Sequence, residues 1–155
     1  MQKRTICGLV SMMTLLSTAD ERADIKRLFP DARVSVRRPS YWSPKGVDIT
    51  WERDDMYASM YVCPRNYITT VSKRLDNELV LYAELEKEEL YEVYVSRAGK
   101  LVQGIKVKNG SIDRSLGDYI VMGEKELLHR GETLAQDFLK EAGEIKIRAI
   151  QETIE

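Results

Sequence analysis

His129 is the one imidazole in the chain, and it limits the chemistry open to the side chains. Glu126 and His129 share a face if their segment is helical, which is half of a ferritin-like di-iron arrangement. That arrangement needs the pair twice, so one histidine forbids it within a monomer. The same count excludes an HExxH zinc site and a two-histidine catalytic site. His129 therefore reads as an exposed helix histidine. Cys63 with His129 as its base would make a nucleophile. Cys63, however, closes an alternating strand pattern, where a thiol is more often a small buried hydrophobe. Asp48, Glu52, Asp54 and Asp55 are the densest carboxylates near a strand, as a Mg²⁺-dependent nuclease would require. A following acidic-x-Lys strand would complete that pattern. The only such triplets are Asp24-Ile25-Lys26, in a helical stretch, and Glu144-Ile145-Lys146, far along the chain. No GxGxxG, P-loop, GxSxG or paired CxxC occurs, so no cofactor and no metal are expected. The residues lean away from an enzyme.

The stretch that stands out is Arg33 to Lys45. It carries Arg33, Arg37, Arg38 and Lys45 together with Tyr41 and Trp42, and no acidic residue. Guanidinium groups pair with phosphate or carboxylate, and aromatic rings stack on bases or anchor protein interfaces. These six residues are the candidate contact surface for a protein or nucleic-acid partner. Ordinary packing and sheet-surface roles remain the competing reading.

Charge supports an asymmetric surface. Residues 1–45 hold nine Lys/Arg against four Asp/Glu, and the rest hold fifteen against twenty-one. A basic front can face phosphates or an acidic partner, or it can be neutralised by the acidic back within the fold. The 155 residues, 43% hydrophobic and 32% charged, are one domain's worth of chain with material for a core. Two cysteines exclude a disulfide scaffold.

Residues 1–19 have two readings. Lys3 and Arg4, the uncharged run Thr5 to Leu16, and Ser17-Thr18-Ala19 resemble a secretory signal, which would place the protein in the periplasm. Ile6, Leu9, Val10, Met13 and Leu16 also fall at helical spacing, which favours a retained helix and a cytoplasmic protein. The stretch is too short to span a bilayer.

Ala23, Ile25, Leu28 and Phe29 form the apolar side of an early helix that Pro30 ends. Alternation predicts strands at Val34–Val36, Val47–Glu52, Met56–Cys63, Leu79–Leu85, Tyr91–Ser96 and Leu101–Lys108. The second and third of these make a hairpin. Pro64 to Asp76 reads as a short helix, and Tyr119–Val121 as one more strand. Leu127, Leu128, Leu134, Ala135, Phe138, Leu139 and Ala142 mark a long C-terminal helix that Gly143 ends, with Gly131 in its middle. The tail from Ile145 to Ile154 fits strand or helix. The expected fold is a single α+β domain over residues 1–155. Its antiparallel sheet would have about five to seven strands, with an N-terminal helix and a long C-terminal helix.

Residues 25–51 carry a resemblance. Leu28-Phe29-Pro30, Val34-Ser35-Val36-Arg37, Tyr41, Val47-Asp48-Ile49 and Trp51 follow a helix ending in Phe-Pro, a Ser-Val-Arg strand, a Tyr loop and a strand ending in Trp. This resembles one of the small domains associated with large polyvalent proteins of phages and conjugative elements. The pattern departs after Trp51, where Glu52-Arg53-Asp54-Asp55 replaces a Thr-Asp-Gly-Pro-like turn. The resemblance implies a mobile-element protein acting inside a bacterial cell, against host defences. It brings no catalytic residues. The leading expectation is thus a small non-enzymatic binding protein of a phage or plasmid that engages a host protein or nucleic acid. An exported envelope protein with residues 1–19 removed, and a metal-dependent nuclease, are the alternatives.

Overall fold

The computed structural model describes residues 22–39, 41, 45–53 and 55–154. The signal-or-helix question over residues 1–19 lies outside them. A helix over 22–28 (α1) comes first. It is followed by β1 (Arg33–Arg37), β2 (Gly46–Arg53), β3 (Met56–Val62), β4 (Tyr67–Arg74), β5 (Leu79–Glu86), β6 (Glu89–Arg97), β7 (Lys100–Lys108) and β8 (Ser111–Leu116). Two helices, α2 (Glu124–Ala142) and α3 (Glu144–Ile154), follow the strands. The strands form one antiparallel sheet in strict chain order, each paired with its sequence neighbour.

Four expectations are corrected. The sheet has eight strands, not five to seven. Residues 67–74 are a strand and not a short helix, because β-branched Thr69, Thr70 and Val71 pair with β3 on one side and β5 on the other. The last strand is Ser111–Leu116, while Tyr119–Val121 lies in the loop before α2. The C-terminal part is two helices and not one long one. Gly143 at φ 70 breaks the run, and its N–H closes α2 by donating to the Leu139 carbonyl. The hairpin expected from the second and third strands is present as β2–β3.

One face of the sheet is apolar and covered. Val47, Ile49, Ala58, Met60, Val62, Val71, Ala83, Leu85, Val93, Val95 and Ile105 are buried there. α2 packs on β4 to β7, and α3 on β3. The stripe predicted for α2 is the one that buries, with Leu127, Leu134, Ala135, Phe138 and Ala142 against the sheet. α1 is tied in by a stack of three rings. Trp51 of β2 lies 5.4 Å from Phe29 and 5.3 Å from Phe138, centroid to centroid. Among the described residues, no helix is long and apolar enough to cross a membrane.

The other face is uncovered by any described helix. Register places Arg33, Thr50, Ser59, Thr70, Glu84, Glu92, Lys106 and Arg114 in one polar row across all eight strands. This outer face carries the groups that could meet a partner.

Candidate binding surface on the outer sheet face

Among the described residues, β1 is an edge strand with β2 as its one neighbour. Alternation turns Val34 and Val36 toward the core and leaves Arg33, Ser35 and Arg37 on the outer face. Arg37 is engaged within the molecule. Its Nη2 lies 2.8 Å from Asp48 Oδ2, and its guanidinium sits 4.6 Å from the centre of the Tyr61 ring. The Tyr61 ring covers Gly46, where a Cβ would meet its ring atoms. A glycine there lets the tyrosine lie diagonally across β2, beneath the arginine.

Of the other predicted residues, Arg33 and Arg38 are the more available. Arg33 and Arg38 are exposed, and among the described residues neither has an ion-pair partner. Tyr41 is 90% exposed. Lys45 is half-buried at the start of β2 and makes an interaction of its own. Trp42 lies outside the described residues. The structure therefore sorts the predicted group into Arg37, which is part of the sheet's own surface, and Arg33, Arg38 and Tyr41, which face outward.

The groups weighed for catalysis are dispersed. His129 is exposed on α2, and Glu126 beside it pairs with Arg130 at 3.1 Å. Cys63 follows β3, where Gln151 of α3 donates to its carbonyl at 3.2 Å. Asp48 and Glu52 share the outer face, and Asp48 is held by Arg37; Asp54 lies outside the described residues. Among the described residues, no three of His, Cys, Asp and Glu are grouped so as to hold a metal ion.

A second cluster on the same face was not singled out from the sequence. Tyr82 of β5 and Tyr94 of β6 pair directly and stack, with ring centroids 4.7 Å apart and planes 10° from parallel. Glu84 and Glu92 pair directly beside them. With Ser96, Gly99 and Leu101 they line a hollow of about 400 Å³. Partial burial, then the charges of Glu84 and Glu92, push the Tyr94 hydroxyl well above the ordinary tyrosine range. The signal was present in mirror image: Tyr82-Ala83-Glu84 in one strand and Glu92-Val93-Tyr94 in the next.

No protein-family model matches the chain, and no curated protein matches it. The functional reading accordingly rests on this geometry.

Proposed function

We propose that the protein is a non-enzymatic binding module that takes an acidic, extended segment of a partner protein along the edge of β1. The observation that carries this reading is the edge itself: a strand with exposed Arg33 within it and exposed Arg38 and Tyr41 just beyond it. An edge strand offers backbone N–H and C=O groups to an added strand, which a nucleic acid cannot match. Arginines at its two ends would pair with carboxylates, and Tyr41 would supply an aromatic anchor. A phage or plasmid setting, with a host protein as the partner, draws its support from the resemblance of residues 25–51 alone.

The test uses Arg33→Glu combined with Arg38→Glu. Arg37 is left intact because its change would disturb Asp48 and Tyr61. Two probes are titrated by fluorescence anisotropy at low and physiological salt: a glutamate-rich β-forming peptide, and a DNA oligonucleotide of equal charge. The reading expects the peptide to bind the wild type and to weaken at least about tenfold in the double variant. Equal affinity in both proteins, no peptide binding at all, or tighter binding of the DNA would overturn it.

A further inference from the structure

The acidic hollow lies on the same face as β1 but three strands beyond β2, so its ligand is a separate matter. We propose that the hollow formed by Tyr82, Glu84, Glu92 and Tyr94 receives an arginine side chain from a basic segment of a partner protein.

Glu84 and Glu92 stand directly opposite each other across β5 and β6. Like charges in that position repel, and a protein surface normally avoids them. Glu92 has partial relief, because Lys106 Nζ lies 3.8 Å from its Oε1. Glu84 has none: among the described residues, no cation lies within ion-pair distance of it. Its carboxylate is nonetheless fixed in place. Thr70 Oγ1 donates to Oε2 at 2.7 Å, and the Tyr94 hydroxyl donates to Oε1 at 3.1 Å. Both donors are neutral, so they orient the charge without cancelling it. Each oxygen keeps a further acceptor position.

The rings point to a guanidinium in particular. Tyr82 and Tyr94 form a nearly parallel aromatic pair bordering the two carboxylates. A planar guanidinium can stack on a tyrosine face while its N–H groups meet a carboxylate, which a compact ammonium cannot do. Arg97, on the same strand, does not fill the hollow. It lies 3.6 Å from Glu78 and 5.5 Å from the Tyr119 ring. Charge complementarity therefore selects a basic partner segment.

The test is an NMR titration of the full chain with an octa-arginine peptide, and with an octa-lysine peptide as control. The proposal expects octa-arginine to shift the amides of Tyr82, Glu84, Glu92 and Tyr94. It expects Glu84→Gln to weaken that binding at least about fivefold, with octa-lysine weaker than octa-arginine in the wild type. Glu92→Gln serves as a second variant should Glu84→Gln fail to fold. Shifts confined to the Glu86–Glu89 turn, equal binding of the lysine peptide, or unchanged affinity in the variant would overturn the proposal. So would concentration-dependent shifts of the same residues without peptide, since the occupant would then be a second copy of this chain.

Discussion

Gly131 of α2 lies against Val93 of β6 so closely that a methyl group on its α-carbon would meet both γ-carbons of the valine. From the sequence, Gly131 reads as a weak point, because glycine within a helix costs about 1 kcal/mol relative to alanine. The fold gives it a purpose: it lets the helix backbone approach the middle of the sheet.

Gly131→Ala should therefore lose stability despite its better helix propensity. Overpacking at a tight contact costs about 1–3 kcal/mol, which exceeds the propensity gain. Urea unfolding of the variant is the measurement, and pairing it with Val93→Ala should recover part of the loss. A stabilised single variant would contradict the contact.

Gln103 is a brace. It is 5% exposed, and its Oε1 accepts from the backbone N–H groups of Val121 and Met122 at 2.8 and 3.1 Å. Its Nε2 donates to the Met122 carbonyl at 2.7 Å. One side chain thus satisfies three backbone groups in the loop that leads into α2. Gln103→Leu should cost about 2–4 kcal/mol, because it leaves buried polar groups unpaired. Hydrogen exchange at Val121 and Met122 should accelerate before that of the central strands.

Thr69 works in the opposite direction. It is 2% exposed on the covered face, and its hydroxyl has no hydrogen-bond partner among the described residues. Thr69→Val keeps the shape and removes the unpaired group, so it should raise stability by about 1 kcal/mol. A lower midpoint in chemical unfolding would show that the hydroxyl is satisfied.

Tyr94 and Tyr91 set the alkaline limit. Burial, followed by neighbouring glutamates, raises both hydroxyls above the ordinary value of 10.0. The neutral form is favoured in the fold, so this contribution is complete below the unfolded pKa. It is lost as pH rises from there through the folded values. Stability should fall above pH 10, and Tyr94→Phe should flatten that fall while losing the hydrogen bond to Glu84. Asp76 acts on the acid side. Backbone N–H groups of Glu78 and Leu79 donate to it and lower its pKa, so its contribution is present above the unfolded value and lost in acid. The checks are unfolding midpoints across the pH range and a phenolate absorbance titration.

What the sequence shows of the fold depends on whether polarity follows burial. β2 and β3 alternate cleanly, and the expected hairpin is there. β4 inverts the code: polar Thr69 faces the core while apolar Ile68 is 45% exposed, so the period-two signal vanishes. β8 is an edge strand with no buried residue, and nothing in Ser111-Ile112-Asp113-Arg114 marks a covered face. Residues 145–150 alternate and also repeat at helical spacing. The stripe of Ile147, Ile150 and Ile154, all buried, shows that packing decided for helix. In the site, exposure of Arg33, Arg38 and Tyr41 follows from composition. The Arg37 contacts do not, because register alone brings Asp48, Tyr61 and Gly46 beneath it.

The strict chain order of the sheet has a consequence for synthesis. Each strand can pair with the one made just before it, so the sheet is able to grow hairpin by hairpin as the chain leaves the ribosome. Its apolar side waits longer. Beyond the part that α1 reaches beside Trp51, the surface built from Val47 to Ile105 stays wet until residues from Glu124 onward emerge and α2 and α3 settle on it. A nascent chain stalled after β8 would be a finished sheet without most of its roof, and the stage at which a chaperone has most to protect.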